Sequence, residues 1–186
     1  MTAPEEAWLL LIYRVPSESS NARVSVWREL KRLGGFYVQQ AVCVLPDVDD
    51  LRSSLQRIRE RIATLGGWSV FLTLRDVDED AHRLFVEGFR DQSAKEYAEI
   101  VEECETKFFK EIEFERFREN YTYEESEEIR QDLEKLRRWL DKVEGRDWMK
   151  AEGRSLAHEN VAECERLLEA FESDVYERTA GGTSLG

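Results

Sequence analysis

The sequence predicts an α+β protein in which a small mixed domain is followed by long charged helices. Residues 8–46 predict strand, helix and strand, because an apolar run, an amphipathic segment and a second strand-forming run follow one another. Beyond Arg75 there is no proline, and charged segments with a helical apolar period take over. We therefore predict an α+β domain at residues 1–76, an acidic helical domain at 77–180 and a flexible tail at 181–186.

The first strand and helix follow from the residues between Trp8 and Gly35. Residues 8–13 form an unbroken apolar run, and Pro16 ends it because proline has no N–H for a strand ladder. Residues 17–20 supply capping oxygens for a helix predicted from Asn21 to Leu33, which Gly34 and Gly35 end. Three apolar side chains fall on one face of this helix, with Trp27 at its edge: Val26, Leu30 and Leu33.

Residues 36–74 add two strands, a second helix and a last strand. Residues 36–45 are rich in strand formers, and a tight turn near Gln39 and Gln40 is predicted to divide them into two strands. A helix with one apolar face follows at residues 51–62, and residues 68–74 alternate as a strand. The order β, α, ββ, α, β is the ferredoxin-like split βαβ arrangement, an antiparallel sheet with two helices on one face.

The remaining residues carry three apolar stripes at helical spacing. The first stripe comprises Tyr97, Val101, Cys104, Phe108 and Ile112; the second Ile129, Leu133, Leu136, Leu140 and Val143; the third Val161, Cys164, Leu168, Phe171 and Val175. Breaks near Asn120 and at residues 145–153 are short enough to make neighbouring helices antiparallel. We expect a helical hairpin or a three-helix bundle.

The composition excludes several classes of protein. No run of about 18 apolar residues is present, and the N-terminus lacks a basic region before an apolar core, so we expect neither a membrane span nor a signal peptide and place the chain in the cytoplasm. The three cysteines show no CxxC spacing and only two histidines accompany them. We therefore predict no metal site and no cofactor.

No catalytic constellation is visible either. The chain has no glycine-rich phosphate loop, no nucleophile elbow and no HExxH helix. Its abundant carboxylates favour solvated helix faces over a catalytic pair, and its helical aromatic residues favour core packing over a ligand site. Cys104 and Cys164 lie on apolar stripes, where cysteine behaves as a small hydrophobic residue. We predict a protein that is not an enzyme.

The net charge of −13 is unevenly distributed along the chain. Residues 1–75 carry 10 basic against 8 acidic side chains, and the rest carries 17 against 32. A polyanion would therefore meet the N-terminal part of the chain more readily than the remainder.

The first helix contains the candidate binding residues. Arg28, Lys31 and Arg32 project over roughly 100° of its surface away from the apolar face, and Arg14 leaves the end of the first strand nearby. Arg23 falls toward Trp27, either over the indole or into the loop after the first strand. Such cations suit phosphate or oxyanion contacts, although a cationic helix face can equally be plain solvated surface.

Several segments together resemble one family. WLLLIYRVPSE, VWRELKRLG and YVQQAVCVLP are similar to the opening of the N-terminal domain of ChrB, a chromate-resistance regulatory protein. KEYAEIVEECE, FRENYTYEESEEIRQDLEKLRRWL and the Arg146-Asp147-Trp148 corner extend the resemblance over nearly the whole chain. The opening is more distantly similar to the repressor PaaX and to ferredoxin-like CRISPR-associated nucleases. Those nucleases have a metal-holding aspartate where this chain has Arg14, so the resemblance does not extend to their activity.

The resemblance to ChrB implies DNA-linked control of a chromate-efflux operon. Arg23, Arg28 and Lys31 fall on basic positions of the family's first helix, where they would contact operator DNA or the chromate oxyanion. The ferredoxin-like fold implies a homodimer. ChrB proteins of the usual form carry a second, C-terminal domain, and we expect either a separately encoded protein of that type or a shortened relative. The alternative is a protein-interaction or assembly domain of a chromate-resistance system that does not bind DNA.

Overall fold

The computed structural model describes residues 7–16 and 20–181. The predicted lead-in at 1–6, the segment 17–19 of the predicted helix cap and residues 182–186 of the predicted tail lie outside the described residues. The described chain forms two compact units. The sheet unit comprises the chain up to Gln92 together with Arg146–Lys150, and the helical unit comprises Ser93–Gly145 and the chain from Ala151. The folding of residues 1–76 as a separate domain stays a prediction.

The elements follow in the predicted order. The sheet unit contains β1 (Trp8–Arg14), α1 (Ser20–Arg32), β2 (Phe36–Gln39), β3 (Val42–Pro46), α2 (Asp49–Thr64) and β4 (Trp68–Leu74). Helix α3 (Glu79–Glu103) is followed by a π-helical segment (Cys104–Phe108), α4 (Phe109–Phe117), α5 (Tyr123–Glu144) and α6 (Arg154–Gly181). The predicted α+β class is confirmed: an antiparallel sheet with helices precedes a helical region.

The sheet has the strand order β2-β3-β1-β4, and all three strand pairs are antiparallel. In β1, Leu9, Leu11 and Tyr13 alternate onto the face that packs against α1 and α2. Trp8 lies on the opposite face, where the first part of α3 covers it with Phe85 and Phe89. The sequence predicted two helices on one face of the sheet, but it did not predict that α3 packs on the other face.

Glycines end the first two helices as predicted, and they do so with the same geometry. Gly34 and Gly66 have φ of 79° and 75°, a conformation that side-chain-bearing residues rarely adopt. The next residue in each case donates its N–H to a carbonyl five residues back, from Gly35 to Leu30 and from Gly67 to Ile62, both at 2.9 Å. This is the Schellman pattern that closes a helix C-terminus.

The helical unit is built on the three predicted stripes. All their residues are buried except Val101, which is partly buried, and they form one core together with Ile100 and Ala157. Helix α5 begins at a cap in which the Thr122 side chain accepts the N–H of Glu125 at 3.2 Å. Cys104 and Cys164 are fully buried in this core, as expected of small hydrophobic residues.

Candidate nucleic-acid interface

Helix α1 presents arginines to solvent because its apolar residues occupy only one side. Ala22, Val26 and Leu30 are buried against the sheet. At 100° per residue, Arg28 and Arg32 lie about 140° and 180° around the helix from Arg23. All three arginines are exposed. A role of this exposed surface in binding an anion stays a prediction.

These arginines are also free of carboxylate partners. In the part of the chain that the structure describes, no hydrogen bond or ion pair engages the side chains of Arg14, Arg23, Arg28 or Arg32. By contrast, the exposed Arg61 of α2 is bound to Glu29 and to the Ser25 hydroxyl. Free guanidinium groups keep their full donor capacity for an external anion.

Unlike the four arginines, Lys31 makes side-chain contacts within the sheet unit. Its Nζ donates to Gln92 Oε1 at 2.5 Å and lies 5.7 Å from the centroid of the Tyr37 ring. The side chain is only partly exposed. A role for Lys31 in binding DNA stays a prediction.

Arg14 and Arg23 meet at an open groove of about 770 Å³ in the sheet unit. Arg14 is the last residue of β1, and Arg23 lies in the first turns of α1. Arg23 lines the groove together with Trp27, and its predicted position over the indole or in the loop after the first strand stays a prediction. The remaining lining residues are Tyr13, Val15, Val24, Trp27, Tyr37, Gln39, Gln40 and Ala41.

The turn between β2 and β3 closes one end of this groove. Ala41 adopts φ of 62°, and its carbonyl accepts the N–H of Tyr13 at 3.0 Å. This bond ties the turn to β1 and leaves the side chains of Gln39 and Gln40 exposed. The sequence predicted the turn but not its part in a site, since alanine at a positive φ gives no turn signal.

Two tyrosines form the floor of the groove. Their hydroxyl groups are hydrogen-bonded at 2.8 Å. Burial raises the pKa of Tyr13, although its hydrogen bond with Tyr37 acts to lower it. Burial and the same hydrogen bond both raise the pKa of Tyr37. Burial also raises the pKa of the neighbouring Cys43 thiol to about 12, although the charge of Lys31 lowers it. At neutral pH these groups stay uncharged, and the arginines carry the charge of the lining.

Another groove of the sheet unit is less basic. A second groove of about 530 Å³ in the sheet unit brings Arg75, Arg83 and Arg90 together with Glu79 and Glu87, so its charges are mixed. In residues 7–16 and 20–181, no three His, Cys, Asp or Glu side chains are grouped so that they could hold a metal ion. Every helix in the same ranges is too short or too polar to traverse a lipid bilayer.

Comparison with known proteins identifies the family. The model of the family described as Protein ChrB, N-terminal, matches residues 23–182. The chain belongs to the ChrB N-terminal family. Protein ChrB of Cupriavidus metallidurans is 33% identical over 102 residues, which is 55% of this chain and 31% of that protein. The chain thus spans about a third of the length of this ChrB relative. No solved structure matches the chain.

Proposed function

We propose that this ChrB-family chain is a non-enzymatic, DNA-linked transcriptional regulator of chromate resistance that acts in the cytoplasm. One observation carries the proposal: Arg14, Arg23, Arg28 and Arg32 are exposed and lack carboxylate partners among the described residues of a chain with 40 acidic side chains. Cations left free on one unit are placed for an external polyanion.

The electrostatics of DNA binding favour this arrangement. Each guanidinium that neutralises a phosphate releases a condensed counterion, so four contacts make the logarithm of the binding constant fall with a slope of about −3.6 against the logarithm of the salt concentration. The acidic helices repel the same duplex and restrict it to the arginine surface. Arg14 also stands where the distantly similar CRISPR-associated nucleases have a carboxylate, which supports binding without cleavage.

The partners follow from this role. The DNA is the operator of a chromate-efflux operon, and the chromate oxyanion is the inducer. A homodimer would present two sets of arginines to an operator with two half-sites. The proposed protein partner is a separately encoded protein of the ChrB C-terminal type.

The test is retention on a duplex from the chain's own promoter across a salt series. Arg28→Ala combined with Arg32→Ala is expected to weaken binding and to make the salt slope shallower by about 2. The matched control is Arg138→Ala combined with Lys142→Ala, which removes two exposed cations four residues apart from α5. The control should leave both affinity and slope unchanged. Equal loss in both variants, or in neither, would contradict the proposal.

A second candidate is an interaction or assembly module that does not bind DNA. The observation that favours it is an exposed apolar row on the edge strand β4, where Trp68, Val70 and Leu72 are 52%, 42% and 43% exposed. Copurification with a separately encoded chromate-resistance protein, together with absence of promoter retention at any salt concentration, would favour this candidate over the regulator.

A further inference from the structure

We propose that the groove lined by Arg14, Arg23 and Trp27 binds a nucleoside phosphate, with the base stacked on the Trp27 indole and the phosphate held by the two arginines. The inference goes beyond duplex binding, which does not need a base-sized site. The same chemistry has two sources, a free nucleotide and an unstacked nucleotide in a DNA strand.

The size of the groove fits such a ligand. Its volume of about 770 Å³ falls within the roughly 300–1,000 Å³ typical of small-molecule sites. A tetrahedral oxyanion bound to the arginines alone would leave most of this space, including the indole, uncovered. The ligand therefore needs a second, larger part besides its anionic group.

The charge of the lining selects an anion. Arg14 and Arg23 are the charged members of the ten residues that line the groove. Guanidinium groups bind phosphate with two parallel hydrogen bonds, so a pair of them suits a phosphate better than a single carboxylate. Neither side chain is engaged by another described residue, so an anion displaces no existing ion pair among them.

The aromatic and amide groups select a planar base. Trp27 lies at the edge of the groove and is 46% exposed, although tryptophan side chains are mostly buried in folded proteins. Stacking of a base on such a ring is favourable for every nucleobase. Gln39 and Gln40 add exposed amides, each with a donor and an acceptor, which is the pattern that pairs with the edge of adenine.

The experiment is titration calorimetry of the full chain with AMP, adenosine, inorganic phosphate and a short single-stranded oligodeoxyadenylate. AMP is expected to bind at least about 10-fold more tightly than adenosine or phosphate alone. Adenosine lacks the phosphate that the arginines would bind, and inorganic phosphate lacks the base that would stack on Trp27. Trp27→Ala should weaken AMP at least about 10-fold, and Trp27→Phe should recover part of the loss. Tyr176→Ala, which removes an exposed aromatic side chain from α6 in the helical unit, is the matched control and should have no effect.

Comparison of the AMP and oligonucleotide titrations distinguishes a free nucleotide from a nucleotide in a DNA strand. Tighter binding of the oligonucleotide than of AMP, with the same dependence on Trp27, assigns the site to an unstacked strand, and the reverse assigns it to a free nucleotide. The inference is overturned if neither AMP nor the oligonucleotide binds at millimolar concentration. It is also overturned if binding is unchanged in Trp27→Ala and in the double variant Arg14→Gln with Arg23→Gln.

Duplex retention on the same preparations keeps the two proposals apart. Duplex binding that depends on Arg28 and Arg32 without any AMP or oligonucleotide binding overturns the nucleotide site alone. AMP binding without duplex retention overturns the regulator alone.

Discussion

Replacing Trp148 with alanine is expected to destabilise the sheet unit by about 3 kcal/mol. Trp148 lies outside the first 92 residues, yet it packs against the cores on both faces of the sheet. Its Nε1 donates to the Leu33 carbonyl at 3.0 Å, close to the end of α1. The variant loses the apolar contacts and leaves a helix carbonyl without this partner.

Hydrogen exchange resolved by peptide is the suitable measurement, because it reports the sheet unit separately from the helical unit. Peptides from β1 to β4 should exchange faster in Trp148→Ala. Trp148→Phe keeps most of the packing and should cost only about 1 kcal/mol, the net value of the hydrogen bond. Unchanged protection of the four strands in Trp148→Ala would show that residues 146–150 are not part of this unit.

Replacing Gly34 with alanine is expected to have a similar cost, about 3 kcal/mol, from two sources. A side chain at φ of 79° is strained, at a cost of about 1 kcal/mol. In addition, a Cβ there would lie 2.8 Å from both Arg146 Cβ and Trp148 Nε1 and 2.9 Å from the Arg146 carbonyl oxygen. Relief requires the 146–150 segment to move, and overpacking of this kind costs about 1–3 kcal/mol.

Gly66→Ala is the matched control for this substitution. Gly66 has nearly the same φ, 75°, but its nearest neighbour would be Pro16 Cγ at 3.8 Å, an ordinary contact. The control should therefore show the backbone cost alone, about 1 kcal/mol. Denaturant unfolding of both variants gives the comparison. Equal destabilisation would mean that crowding by Arg146 and Trp148 contributes nothing.

The sequence was sufficient for the elements because each depends on local patterns. The alternation of Leu9 and Leu11, the four-three spacing of Ile129, Leu133 and Leu136, and the glycines after α1 and α2 all depend on residues close together in the chain. The division of residues 36–45 into two strands was also predicted from the fold order, although Ala41 at the turn gives no signal of its own.

The sequence was not sufficient for contacts that join distant residues. Nothing in the spacing of residues 146–150 indicates that Trp148 donates to Leu33, and nothing near Lys31 indicates Gln92 as its acceptor. The groove also depends on residues that are distant in the sequence, because Arg14, Trp27 and Gln40 come from β1, α1 and the turn after β2. Of the five basic residues, the sequence predicted Arg28, Lys31 and Arg32 on one helix face, with Arg14 nearby and Arg23 toward Trp27. The structure divides them into a groove pair, an outer helix pair and a lysine engaged by its own unit.

Arginine modification footprinting is the most direct test of the central claim, that free arginines on the sheet unit meet DNA. An arginine-specific dicarbonyl reagent is applied to the chain with and without the promoter duplex, and mass spectrometry gives the rate at each site. We expect slower modification of Arg14, Arg23, Arg28 and Arg32 in the complex and an unchanged rate at Arg138 of α5. Modification of the four at their free rates in a DNA-saturated sample would contradict it.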